Sequence, residues 1–139
     1  MGSPAPVRLL LDTHIWLWSL LEPDRLTRLV RQALDDTSNE LWLSPISVWE
    51  TLLLAERGRV TLDPDGPTWV DERLKAGPLR EVPLTHAIAL ESRAVPLGCK
   101  DPADRFLAAT ARVFDLTLVT ADRRLARMKG IDVLQNGSR

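Results

Sequence analysis

The chain has 139 residues, close to the usual size of one domain, so a two-domain enzyme with a separate cofactor domain is not expected. Hydrophobic residues make up 45% and charged residues 27%, proportions that exclude a disordered or a fibrous protein. The formal net charge of -1 excludes a polycation that coats nucleic acid, so any nucleic-acid contact must come from local patches.

Cysteine usage and the chain termini bear on location. The single cysteine, Cys99, cannot form an intrachain disulfide and cannot by itself build a thiolate zinc site, so we expect a reducing compartment and a cytoplasmic protein. No apolar run approaches the roughly 18–20 residues that span a bilayer, so no membrane association is expected. We expect residues 1–6 to be a flexible lead-in, residues 7–135 to form one domain and residues 136–139 to be a polar tail.

Short apolar runs alternate along the chain with longer segments of helical period. The first run, Arg8–Asp12, has a uniformly apolar interior, which is typical of a buried parallel strand. The predicted elements after it are, in chain order, helix Thr13–Leu21, a helix from Leu26 to about Asp36, strand Glu40–Leu43, a helix from Pro45 through Ala55, helix Thr68–Ala76, strand Arg80–Leu84, helix Thr85–Ala94, a helix from Pro102 with an apolar stripe to Phe114, strand Leu116–Thr120, helix Arg123–Met128 and strand Ile131–Leu134. This alternation predicts a parallel α/β sheet covered by helices on both faces.

Local signals fix several helix boundaries. Ser44-Pro45 and Asp101-Pro102 each place a capping residue before a proline at the first helical position. In the second helix the apolar stripe has helical spacing and consists of Leu26, Leu29, Val30, Ala33 and Leu34. We therefore expect these five side chains to face the core.

Two acidic residues stand at or just after the ends of predicted strands. Asp12 closes the first strand, and Asp122 comes two residues after the fourth. Ligands of open α/β sheets bind outside the carboxyl ends of the strands, so both positions are candidates for chemistry. Each can equally cap the next helix, and the sequence leaves these two roles open.

Three further acids lie in helical segments. Glu50 has Ile46, Leu53 and Leu54 as helical neighbours, and a carboxylate beside such an apolar stripe loses solvation unless a partner meets it. Asp101 and Asp104 share one face of a helix start, where capping is the expected role of Asp101, and Asp104 points toward packed surface.

These five carboxylates have routes to one place, where they can crowd together ionised only if a cation joins them. Hard oxygen ligands suit Mg²⁺ or Mn²⁺, ions that polarise a phosphate and activate water. Metal-dependent phosphodiester hydrolysis is therefore the expected chemistry. His14 and His86 lie far apart in sequence, and we expect neither to be a ligand.

The ordered motifs resemble those of PIN-domain ribonucleases of the VapC toxin type. The motifs are Leu9-Leu10-Leu11-Asp12-Thr13-His14, Ser44-Pro45-Ile46-Ser47-Val48-Trp49-Glu50, Lys100-Asp101-Pro102-Ala103-Asp104-Arg105 and Thr117-Leu118-Val119-Thr120-Ala121-Asp122. The resemblance runs from Val7 to Leu134. It implies a three-layer α/β/α fold whose five parallel strands have the order 3-2-1-4-5, with Asp12 and Asp122 facing each other.

The resemblance also implies roles for individual residues. Asp12, Glu50, Asp104 and Asp122 would be the catalytic acids that hold Mg²⁺ or Mn²⁺, with Asp101 as an extra acid and Thr13 and Thr120 as auxiliary hydroxyls. The candidates for contact with RNA phosphates are Lys100, Arg105, Arg123 and Arg124. The family implies toxin homodimers and a VapB-like antitoxin that assembles with them into a heterotetramer or a larger complex. The candidate groove for that antitoxin is the region of Trp16, Trp18, Leu20 and Leu21.

Other classes of protein fit less well. A receiver domain needs a phosphoacceptor Asp after the third strand, where the chain reads Val82-Pro83-Leu84-Thr85, and a haloacid-dehalogenase-like phosphatase needs an acid at the position of His14. The remaining alternative is a catalytically inactive PIN-like module that binds RNA or protein.

Overall fold

Five short parallel strands form the centre of the molecule in a computed structural model that describes residues 6–96 and 101–137. Their hydrogen-bonded order is β3-β2-β1-β4-β5, which confirms the predicted order. The strands are β1 (Arg8–Leu11), β2 (Glu40–Leu43), β3 (Leu79–Glu81), β4 (Thr117–Thr120) and β5 (Val133–Gln135). Since β1 pairs with both β2 and β4, its carboxyl end lies at the middle of the sheet edge.

Helices follow the strands and cover both faces of the sheet. They are α1 (Thr13–Leu21), α2 (Arg28–Asp35), α3 (Pro45–Glu56), α4 (Gly66–Ala76), α5 (His86–Ala94), α6 (Pro102–Phe114) and α7 (Arg123–Ala126). The side chains of Thr27, Ser44, Asp65 and Thr85 accept backbone N–H groups in the first turns of α2 to α5, each typically worth about 1 kcal/mol.

The sheet separates two apolar layers. Leu9 and Leu11 of β1 pack with residues of α1, α2 and α4 on one face, whereas Leu10 packs with residues of α5 and α6 on the other. Helix α3 contacts α1, α4 and α6. A strand buried on both faces has no wet side, which explains its uninterrupted apolar sequence.

The second predicted helix is partly wrong. Pro23–Arg25 forms a short 3₁₀ turn, Leu26 has an extended backbone, and α2 begins only after the Thr27 cap. Leu26 therefore does not belong to the helical face that its spacing suggested, although its side chain is buried. Leu29, expected in the core, is 63% exposed, whereas Val30 is fully buried.

Other boundaries shift by a few residues. The third strand ends at Glu81 rather than Leu84, and β5 runs from Val133 to Gln135. Helix α4 begins at Gly66, two residues before the predicted start at Thr68, because Asp65 caps it. Asn136, expected in a polar tail, is buried and hydrogen-bonded. Over the described ranges, the helices are all too short or too polar to cross a membrane.

Candidate active site

The acidic residues predicted from sequence lie around the carboxyl ends of β1 and β4. Asp12 directly follows β1, and Asp122 follows β4 after one intervening residue. Glu50 is on α3 and Asp104 on the first turn of α6, with Asp101 as its N-cap residue. The structure therefore brings the five carboxylates from four separate segments to one edge of the sheet, where they line a single cleft of about 360 Å³. We call this the acidic cleft.

Asp12 is the most buried of these acids, with 8% of its surface exposed. Its backbone continues the sheet by donating N–H to the Val119 carbonyl at 3.0 Å. It stands at the N-cap position of α1, yet its carboxylate accepts no capping hydrogen bond. Instead, Oδ2 accepts the hydroxyl of Thr120 at 2.7 Å. Because the carboxylate is not used as a cap, helix initiation does not explain why a charged group is buried here.

Thr120 connects two of the acids. Its Oγ1 donates to Asp12 and accepts the backbone N–H of Asp122 at 3.0 Å. The side chain is fully buried, so this bridge is shielded from solvent. Thr13, the other predicted hydroxyl, is also fully buried, but its Oγ1 has no hydrogen-bond partner among the described residues. Of these two hydroxyls, that of Thr120 is therefore the one that contacts an acidic side chain in the described structure.

Asp122 and Asp101 both cap helices. Asp122 Oδ1 accepts the backbone N–H of Arg124 at 2.8 Å in α7, and Asp101 Oδ1 accepts that of Ala103 at 2.9 Å in α6. The capping role expected for Asp101 is thus confirmed. Both residues also line the acidic cleft, so each carboxylate serves a helix while it contributes negative charge to the cleft.

Negative charge dominates the electrostatics of the cleft. Burial, the largest cause, and the carboxylates of Asp101, Asp12, Asp122 and Glu50 together raise the pKa of Asp104 to about 7. Burial also raises the pKa of Asp12, against the lowering effects of the Thr120 hydrogen bond and His14. A carboxyl group that is only half ionised near neutral pH marks a place where a cation is strongly favoured.

The donor set fits a hard divalent ion. Every carboxylate in the acidic cleft is an oxygen ligand, the type that Mg²⁺ and Mn²⁺ prefer. In the described part of the chain, however, no three His, Cys, Asp or Glu side chains already converge on one metal position. The two observations agree if the ion keeps several waters and takes only one or two carboxylates directly, as Mg²⁺ commonly does.

The predicted basic contacts differ in their surroundings. Arg124 lines the acidic cleft, and its guanidinium lies 3.6 Å from Asp122 Oδ2. Arg123 is exposed and lines an adjoining cavity. Arg105 instead donates to the backbone carbonyls of Ser92 at 2.9 Å and Val95 at 3.3 Å, which ties α6 to the end of α5. Lys100 lies outside the described residues.

Sequence reasoning missed two side chains of the cleft. His14 and Trp18, both on α1, line it together with the acids, and their rings lie 5.8 Å apart. His14 comes two residues after Asp12, so its place in the first turn after a strand was an available signal. Trp16, proposed for a partner surface, is buried against Trp69, whereas Leu20 and Leu21 are exposed.

Comparisons with known proteins agree with this geometry. Residues 9–131 match the family model of the PIN domain. The chain is 38% identical over 117 residues to ribonuclease VapC22 of Mycobacterium tuberculosis, which covers 84% of this chain and 88% of that protein.

Solved structures match over nearly the whole chain. The structure of VapBC2 from Rickettsia felis bound to a promoter DNA fragment aligns with a TM-score of 0.72 at 13% identity, covering 96% of this chain and 100% of that one. A toxin-antitoxin complex from Klebsiella pneumoniae aligns with a TM-score of 0.64 at 22% identity, covering 92% and 97%. These two matches show the shared fold, and the family match and the VapC22 relationship show that the chain belongs to the PIN-domain family, as a protein of VapC type.

Proposed function

We propose that the protein is a metal-dependent endoribonuclease toxin of the cytoplasm that hydrolyses RNA phosphodiester bonds and is neutralised by a cognate antitoxin. One observation carries the catalytic part: five carboxylates line one cleft at the switch point of the sheet, with a pKa of about 7 at Asp104. Such a cluster is costly for the fold unless it binds a cation. The relationship to ribonuclease VapC22 supports RNA as the substrate.

The acids would hold the ion. We assign Asp12, Glu50, Asp104 and Asp122 as the catalytic set around Mg²⁺ or Mn²⁺, with Asp101 as an additional acid. When bound, such an ion polarises a phosphate oxygen and lowers the pKa of a coordinated water. Asp104, whose pKa is about 7 without an ion, would have to be ionised to serve as a ligand.

Other side chains position these acids and the substrate. Thr120 fixes the Asp12 carboxylate through its hydroxyl and holds the Asp122 backbone, so the two strand-end acids keep their spacing. Arg124 and Arg123 are the basic side chains placed to offset phosphate charge, with Lys100 also a candidate from the sequence. The contacts of Arg105 with Ser92 and Val95 favour a structural role, and we do not assign it to RNA.

An antitoxin partner completes the proposal. The matched structure from Klebsiella pneumoniae is a toxin-antitoxin complex, which supports a VapB-like partner for this chain. Homodimers, and heterotetramers or larger assemblies with the antitoxin, remain predictions.

The proposal is tested by incubating the purified, antitoxin-free protein with total RNA in Mg²⁺, Mn²⁺ or EDTA and mapping the ends of the fragments. We expect discrete fragments with either ion, none in EDTA and none from Asp12→Asn. The matched control is Asp71→Asn, which alters an exposed acid on α4 that pairs with Lys75 at the surface. Cleavage that persists in EDTA or in Asp12→Asn would contradict the proposal. RNA binding without cleavage by folded wild type would favour the non-catalytic PIN-like module.

A further inference from the structure

Two cavities adjoin the acidic cleft in the described structure, and Trp18 is the one described residue that lines all three. One neighbour, of about 280 Å³, is lined by Arg25 and Arg123, and no acidic residue of the described chain contributes to its lining. The other, of about 220 Å³, is lined by Arg25 and Arg59 together with Glu22 and apolar side chains of α1. The Trp18 ring therefore lies between the negatively charged acidic cleft and two neighbouring cavities, the flanks of the cleft, which are lined by arginines.

The ring itself is already stacked with a cation. The Arg25 guanidinium lies 4.3 Å from the Trp18 ring centroid. Arg25 also forms an ion pair with Glu22 at 3.4 Å, but both side chains are exposed, so this pair holds the guanidinium only weakly. Planar guanidinium and indole groups are the surfaces on which unpaired nucleobases stack, and this stacking tolerates any base sequence.

This stacking surface is fixed relative to the acids. Asn136 Nδ2 donates to the Arg25 carbonyl at 3.1 Å, and Asn136 Oδ1 accepts the Thr27 N–H at 2.6 Å. The Asn136 backbone N–H donates to the Thr120 carbonyl at 2.7 Å. Arg25 is therefore tied to Thr120, the same residue whose hydroxyl holds Asp12.

From these contacts we infer that Trp18 and Arg25 form a stacking site for an unpaired base of single-stranded RNA, next to the phosphate held in the acidic cleft. The inference rests on the proposed ribonuclease function and adds a positioning role for two residues of α1 and the following turn. Charge favours this occupant: a phosphate chain that crosses the cleft meets arginines on both flanks, and at the centre it would meet the ion that the carboxylates are proposed to hold. A basic peptide segment would meet repulsion at the same flanks.

Binding measurements test the inference separately from cleavage. A short labelled single-stranded RNA and an abasic oligonucleotide with the same sugar–phosphate backbone are titrated with the protein in Ca²⁺, and the RNA is checked for integrity after each titration. Wild type is expected to bind the RNA about tenfold or more tightly than the abasic strand, a ratio in the range for one stacked base.

Trp18 is half-buried and packs against the apolar core, so truncation to alanine risks unfolding. Trp18→Leu keeps apolar packing but removes the ring, whereas Trp18→Phe keeps a ring. We expect Trp18→Leu to lose the preference for RNA over the abasic strand and to raise KM with kcat little changed, and Trp18→Phe to retain most of the preference. Trp49→Leu, at a 52% exposed tryptophan on α3 that lines none of the three cavities, is the matched control and should behave as wild type.

Equal binding of both strands by wild type, or an unchanged preference in folded Trp18→Leu, would overturn the inference. So would a Trp18→Leu variant that loses only antitoxin binding, because the surface would then serve a protein partner. If wild type cleaves RNA but binds the RNA and the abasic strand equally, only the stacking site is contradicted. If wild type binds the RNA more tightly but shows no metal-dependent cleavage, the proposed nuclease function is contradicted and the stacking site stands.

Discussion

Charged side chains have different surroundings at the amino edge of the sheet, where the parallel strands begin, and at the carboxyl edge, where they end. At the amino edge, Arg8 at the start of β1 donates to the carbonyls of Phe114 at 2.6 Å and Asp115 at 3.0 Å, where α6 ends. A cation at a helix C-terminus is favourable and satisfies carbonyls that lack helical partners. At the carboxyl edge, five carboxylates gather around one cleft, and burial among like charges raises the pKa of Asp104 to about 7.

We therefore expect charged residues at the amino edge to contribute mainly to stability and those at the carboxyl edge mainly to catalysis. At the amino edge Arg8 is matched to backbone carbonyls and strengthens the fold. At the carboxyl edge Asp101 and Asp122 also cap helices, but the carboxylates around Asp104 repel one another, which weakens the metal-free fold. A substitution of Arg8 at the amino edge should therefore lower the free energy of unfolding and leave activity unchanged. A substitution of Asp104 at the carboxyl edge should lower activity and raise the free energy of unfolding of the metal-free protein.

The largest expected effect is on cleavage by Asp104→Asn. The nearly isosteric amide removes one acidic ligand, and we expect the rate of RNA cleavage to fall by about 100- to 1000-fold, the scale for loss of one charge-stabilising group in an active site. The free energy of unfolding in EDTA at pH 8 should rise, since repulsion within the cleft decreases. Cleavage assays and urea unfolding measure the two quantities, and a less stable variant would mean that Asp104 chiefly supports packing.

Metal binding should stabilise the carboxyl edge. At a Mg²⁺ or Mn²⁺ concentration of 100 times Kd, the fold gains about 2.7 kcal/mol, which corresponds to a rise in Tm of roughly 5–10 °C. The shift should be much smaller in Asp104→Asn and unchanged in Asp71→Asn, which keeps the acidic cleft intact. Differential scanning calorimetry with and without the ion provides the measurement, and equal shifts in all three proteins would place the ion elsewhere.

The amino edge provides the converse substitution. Arg8→Met keeps a long apolar stem but removes both hydrogen bonds to the end of α6, so the free energy of unfolding should fall by about 1–3 kcal/mol. Cleavage by the folded variant should match wild type because Arg8 lies at the opposite edge from the acids. A large loss of kcat without a loss of stability would show that the two edges are coupled.

Regular features of the sheet could be predicted from the sequence because burial leaves a strong pattern. The apolar run of β1 and the cap-plus-proline signals at Ser44 and Asp101 led directly to elements that the structure contains. The place of Asp12 and Asp122 at the carboxyl edge followed from their positions after predicted strands. The strand order came with the resemblance to PIN-domain proteins and is confirmed.

Features that depend on tertiary contacts could not be predicted in the same way. The apolar spacing of Leu26 and Leu29 suggested one helical face, but the extended backbone at Leu26 and Thr27 breaks the helical period between them. Asn136 reads as part of a polar tail, and only the fold brings it to Arg25 and Thr120. The raised pKa of Asp104 likewise arises first from burial and then from carboxylates. Only that of Asp101 is visible in the local pattern, whereas those of Asp12, Asp122 and Glu50 come from other segments.

The smallest effect is the pH dependence of stability in EDTA. The pKa of Asp104 is raised from 3.8 to about 7 in the folded protein, so the folded state binds more protons than the unfolded state between these values. Stability contributed by the protonated group is therefore present below about pH 4 and is lost as the pH rises to 7. Since the carboxyl is only partly buried and solvent screens its charge, we expect a loss of about 1 kcal/mol.

Urea unfolding of wild type and Asp104→Asn across this range isolates the contribution, because the variant lacks the titrating group while every other acid is common to both. The difference in unfolding free energy should be near zero at pH 4 and greatest above pH 7, with Asp104→Asn the more stable. Saturating Mg²⁺ should reverse the trend, because the ion needs ionised ligands and stabilises wild type increasingly as the pH rises. A difference that is independent of pH would show that Asp104 does not titrate among its neighbouring carboxylates, and that the two edges differ less than their charges indicate.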